Sequence, residues 1–145
     1  AVMTLAVATA QGPWAAPVYY AYRSKDNGFY FFSSPDSRHI AATQTTGVCS
    51  AAIFESAAAG TGTWREICGL QMQGTLAPAN VSAGVKALAN YLRKFPFSRE
   101  LLPSGSQGLE DFHTRLGVRL YGFRPEHVEW TDNRIHFGYR CHLTL

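Results

Sequence analysis

Residues 28–42 read GFYFFSSPDSRHIAA. The first half is an aromatic run of strand-formers, and Pro35 forbids the ladder to continue past the two serines. Ser34 or Asp36 is placed to cap a helix that starts near residue 36. Arg38 and His39 then fall in its first turn, where the helix dipole disfavours cations. Strand-end hydroxyls, helix N–H groups and a guanidinium fork are together the donor set of a phosphate site. A solvated turn, with Asp36 offsetting the cations, is the alternative that local physics leaves open.

Outward from this stretch, residues 2–10 and 14–22 have the composition and alternation of two strands, joined at Gln11-Gly12-Pro13. The segment 24–28 ends in Asn27-Gly28, a dipeptide that tolerates positive φ. After the helix expected over 36–45 comes a strand at 48–55, then SAAAGTGT at 56–63, read as a flexible hairpin loop, and a strand at 64–76. Asn80-Val81-Ser82 supplies caps for an amphipathic helix over 83–95 that stops near Pro96. A Pro/Gly/Ser loop at 103–108 precedes strands at 117–123 and 127–130, a turn at Asp132-Asn133 and a last strand at 134–142. Six or seven strands on short turns, with two inserted helices, predict a mainly β fold: one domain over residues 1–145, an antiparallel closed or half-closed barrel.

Charge and composition narrow the partners. The net charge of +3 is spread from Arg23 to Arg140, which predicts no nucleic-acid surface. No run approaches the roughly 20 apolar residues of a membrane helix, and the ten apolar residues at the start suit a strand better than a signal peptide. Cys49, Cys68 and Cys141 are odd in number without CxxC spacing, so free thiols in a cytoplasmic protein are expected. His136 and His142, if on one strand, stand roughly 20 Å apart, which predicts no metal site. Nucleophile-elbow and Walker motifs are absent.

The stretch at 28–42 resembles the phosphate-binding segment of the pyridoxamine 5'-phosphate oxidase superfamily, the FMN-binding split barrels. PWAAPVYYAY (13–22), CSAAIF (49–54) and CGLQMQGTLAP (68–78) resemble its other strands in order. GLQMQG (69–74), RKFPFSREL (93–101) and WTDNRIHFG (130–138) are similar to a small bacterial branch of it. The resemblance implies that Ser33, Ser34, Arg38 and His39 contact the phosphate of FMN, His39 standing where the oxidases have lysine. It further implies that the backbone around Ala16, Pro17 and Val18 lies along the flavin ring, on a strand that lacks the basic residue of the oxidases. Gln71, Gln73 and Trp130 would come from the partner subunit of a homodimer with the flavin at its interface. The implied function is a flavin-dependent oxidoreductase of unassigned substrate, the alternative being a non-catalytic module of the same fold that holds FMN, haem or another anionic ligand. The oxidases' C-terminal substrate-holding segment has no counterpart in CHLTL, so oxidation of pyridoxamine phosphate is not expected.

Overall fold

Alternation in the first strand is carried through in space: Met3, Leu5 and Val7 are buried while the residues between them face outward. The computed structural model describes residues 2–55, 63–100 and 108–145. β1 (Val2–Thr9) and β2 (Gly12–Tyr19) form a hairpin paired from Val2↔Tyr19 to Thr9↔Gly12. β3 (Ala21–Arg23), β4 (Gly28–Ser33), α1 (Arg38–Thr43) and β5 (Val48–Glu55) follow. A single 3-10 turn at Trp64–Glu66 leads into β6 (Cys68–Pro78), α2 (Val81–Lys94), α3 (Phe97–Glu100) and α4 (Leu109–Leu116). β7 (Arg119–Asp132) and β8 (Arg140–Leu143) complete the chain.

Every pairing is antiparallel, in the order β2-β1-β5-β6-β7-β4-β3, with β8 added beside β7. The two ends of that order, β2 and β3, are separated in the chain by Tyr20 alone, so the sheet must curl until its ends meet. The result is the expected half-barrel. Met3, Leu5, Val18, Phe31, Met72, Phe123 and Val128 fill its interior, and Ile40 of α1 plugs one end. On the outside, α2 and α4 cover β4 and β7: Tyr30 and Leu120 pack on Ala83 and Ala87, and Phe32 stacks on Phe112 at 4.2 Å. No helix among the described residues is long and apolar enough to cross a membrane.

The β3–β4 turn is locked to β7 by one carboxylate. Asp26 accepts from Arg23 Nε at 2.9 Å, from the Tyr30 hydroxyl at 2.6 Å and from Arg124 at 2.9 Å. Burial alone would raise the Asp26 carboxyl, but the bonds from Arg23, Tyr30 and Arg124 outweigh it and hold the group well below the aspartate range. Asn27, at φ 49°, makes the turn that the Asn-Gly pair predicts.

Three expectations are corrected. Residues 64–66 form a 3-10 turn and the strand starts at Cys68. The two strands expected at 117–123 and 127–130 are one, because a bulge opposite Gln73/Gly74 absorbs the break in alternation between Phe123 and Val128, both of which face inward. Gly74 is required there: a Cβ would lie 2.0 Å from the Arg124 carbonyl oxygen. The last strand is Arg140–Leu143 rather than 134–142, since Asp132 and Asn133 fold the segment before it into turns through Arg134 N and Gly138 N, each at 2.9 Å. His136 therefore sits in a turn, and the strand spacing argued for it with His142 does not apply. Among the described residues no three potential metal ligands are gathered. α3 and α4 were not anticipated, and the loops expected at 56–62 and 103–107 lie outside the described residues.

Candidate functional site

β4 runs out at Ser33, and the chain turns through Ser34 to Ser37, closed by Ser37 N donating to Ser34 O at 3.1 Å. Ser37, not Ser34 or Asp36, is the N-cap of α1, and its side chain does not cap the helix. Its hydroxyl donates instead to Ser34 O at 2.8 Å and lies 2.9 Å from Ser33 Oγ and 3.4 Å from His39 Nε2. Ser33 Oγ is 2.9 Å from the same imidazole nitrogen, and Ser34 Oγ accepts from Asp36 N at 3.3 Å. The first turn of α1 holds no acid. Burial pushes the His39 imidazole down, which favours its neutral form where no anion stands beside it. Two buried or half-buried hydroxyls and an imidazole thus converge, and none of the three bonds a carboxylate.

Arg38 goes elsewhere. Its guanidinium lies 4.5 Å over the Trp14 ring and donates from Nη2 to Thr9 Oγ1 at 3.2 Å, at the β1–β2 turn. The fold thus brings Ser33, Ser37 and His39 together, with Ser34 at the turn, and parks Arg38 on the neighbouring hairpin. A second cation, Arg119, faces Ser33 directly across the β4–β7 ladder. Sequence reasoning missed Ser37 as a site residue because it started the helix too early, and the pairing of Arg119 with Ser33 because only the strand register reveals it.

Ala16 and Val18 are 7% and 8% exposed, pointing into the barrel, so β2 offers a ligand its backbone and the exposed ring of Pro17. Among the described residues β2 ends the strand order and pairs on one side only, with β1. Gln71 and Gln73 are exposed on the outer face of β6. Trp130 is opposite Leu70, on the other face from them, and meets Tyr139 edge-on at 6.0 Å. Across the outer face the register aligns Pro17, Thr4, Ala52, Gln71 and Glu129 in one row, and Ala15, Ala6, Ser50, Gln73 and His127 in the next. Pro17 and Gln71 are three strand spacings apart, roughly 14 Å, too far to hold one ring within a single chain. Beside Gln71 a pocket of about 260 Å³ is lined also by Gly69, Thr131 and Arg140, and Thr131 Oγ1 is buried there without a partner.

No family model matches the chain. A UPF0306 protein of Klebsiella pneumoniae is 24% identical over 141 residues, covering 97% of this chain and 83% of its own. Among solved structures, a heme binding protein from Mycobacterium smegmatis aligns with a TM-score of 0.71 at 19% identity, over 99% of this chain and 52% of that one. The chain thus spans about half of that protein. A FAD-binding protein from Mesorhizobium loti aligns with a TM-score of 0.58 at 20% identity, over 88% of this chain and 82% of its own. These likenesses establish a shared half-barrel fold.

Proposed function

We propose that this protein is a homodimer that holds the FMN portion of a flavin by its phosphate and acts as a flavin-dependent oxidoreductase. The observation that carries the reading is the cluster of Ser33, Ser37 and His39 at the end of β4, two hydroxyls and an imidazole nitrogen within 3.4 Å of one another and no acid in the helix turn above them. A phosphate is the group that such donors fit: the hydroxyls turn from the imidazole to the anion, and the imidazole takes up a proton beside it. The FAD-binding relative of the same fold supports a flavin. When bound, the flavin supplies the hydride chemistry. The chain's part is to seat the phosphate, to lay the unpaired edge of β2 along the ring, and to exclude water.

The sheet's outer face is the surface the dimer would use. Apart from Glu129 and His127 its rows carry small or neutral side chains, and a second copy laid on it by a two-fold axis would bring the Gln71, Thr131 and Arg140 of one chain toward the β2 of the other. Trp130, turned to the opposite face, is not part of that surface. The second reading is a non-catalytic holder of haem or flavin, favoured by the absence of any basic side chain on β2 and by the heme-binding relative. The visible spectrum of freshly purified protein separates the cofactors, since flavin shows two broad bands and haem a Soret band. Bleaching by NADH or NADPH then separates the enzyme from the holder. Protein that is colourless as purified and retains no FMN, FAD or haemin after incubation and gel filtration refutes both readings.

A further inference from the structure

Arg119, the first residue of β7, is the backbone partner of Ser33 across the β4–β7 ladder, and its guanidinium is turned toward α4. No carboxylate lies within 4 Å of it among the described residues. Its contact is His113 of α4, whose Nε2 is 3.4 Å from Arg119 Nη2. That pairing is poorly matched. To accept from arginine, His113 must carry its proton on Nδ1, and Nδ1 is buried without a partner. Beyond the two side chains opens a pocket of about 390 Å³, within the size range of small-molecule sites. Pro78, Ala79, Leu109 and Leu120 form its apolar wall, and Glu110 stands exposed at its rim.

We propose that this pocket is a nucleotide subsite, which takes the adenosine end of a dinucleotide flavin while Arg119 holds the second phosphate. The assignment rests on the flavin reading of the Ser33–Ser37–His39 cluster. One phosphate satisfies that cluster and leaves Arg119 with its poor partner; a diphosphate places a second anion at the guanidinium, whose fork fits two phosphate oxygens. The aliphatic wall suits the face of a purine. The Glu110 carboxylate accepts from ribose hydroxyls, the role an acidic residue plays in other dinucleotide sites. Mononucleotide flavin uses none of these groups.

The test compares FMN, FAD and ADP by fluorescence and calorimetric titration, on the wild type, Arg119→Gln and Ala79→Trp. Arg119 is exposed, so its replacement leaves the fold intact, and Ala79→Trp fills the pocket without touching the first phosphate. The wild type should bind FAD about 10-fold or more tightly than FMN, a difference of one charge-assisted contact. Both variants should lose that preference and keep FMN affinity within about twofold, and ADP alone should bind the wild type about 10-fold better than Arg119→Gln. Equal affinity for FMN and FAD, or an equal loss of both in Arg119→Gln, overturns the subsite and leaves the flavin reading standing. Binding of ADP that depends on Arg119, with no binding of either flavin, overturns the flavin reading and keeps the subsite. A wild type that binds none of the three refutes both.

Discussion

Replacing Asp26 by asparagine removes one charge and keeps the shape of the β3–β4 turn. The carboxylate serves Arg23 through two bonds, the Tyr30 hydroxyl through one and Arg124 through one. Arg23 and Asp26 side chains are 14% and 17% exposed, so their pairing acts at reduced dielectric, whereas Arg124 is 45% exposed and its share is largely screened. A bond to a charged group contributes about 1.5–3 kcal/mol and a neutral one about 0.5–1.5 kcal/mol. Asparagine keeps one acceptor, so the expected loss of stability at neutral pH is about 2 kcal/mol, and alanine, which strands Arg23, loses about 3 kcal/mol.

The pH dependence fixes the cause. The folded carboxyl lies below the ordinary value of 3.8, so its stabilisation is full above that value and is lost as pH falls from there toward the folded value. Between neutrality and about pH 3 the gap between wild type and Asp26→Asn should therefore narrow by about 1 kcal/mol. Urea unfolding followed by tryptophan fluorescence at both pH values measures it. A gap under about 0.5 kcal/mol at neutral pH, or one that does not change with pH, would falsify the claim that a buried charge holds β4 against β7.

Because burial favours neutral His39 and a phosphate favours its protonated form, FMN affinity should rise as pH falls from about 8 to about 5.5; His39→Lys should flatten the dependence, and parallel profiles would remove His39 from the site. Arg38→Ala should weaken FMN by about 10-fold or more if the guanidinium leaves Trp14 for the ligand, and lower stability by less than about 1 kcal/mol for the lost stack; equal FMN affinities would confine Arg38 to the hairpin. Sedimentation at micromolar concentration should give a dimer for wild type and a monomer for Ala6→Lys, which sets a charge in the middle of the outer face; a wild-type monomer in the presence of FMN rules the interface out.

The barrel was legible because strict alternation, as at Met3, Leu5 and Val7, survives any error in turn placement. The alternation at β7 is broken at Glu126, so the sequence showed two strands where a bulge makes one. Hydroxyls and imidazole at the end of β4 were legible too, since they sit within seven residues of each other from Ser33 to His39. What neighbouring residues do with one another was not. Arg38 looked committed to the anion because the Trp14 ring that captures it belongs to another hairpin. Gln71 and Trp130 were grouped by resemblance, but strand pleating sends them to opposite faces.

Among the described residues β2 closes the strand order with one side unpaired, and such an edge is the part of a sheet that recruits foreign strands into aggregates. Two of its eight residues are Pro13 and Pro17, which have no N–H to give. A strand arriving at this edge meets two positions without a donor, which weakens any ladder formed along it. A small planar molecule needs only one or two of the edge carbonyls and is not excluded. The prolines thus guard the open edge of the split barrel against pairing with another chain while leaving its carbonyls accessible.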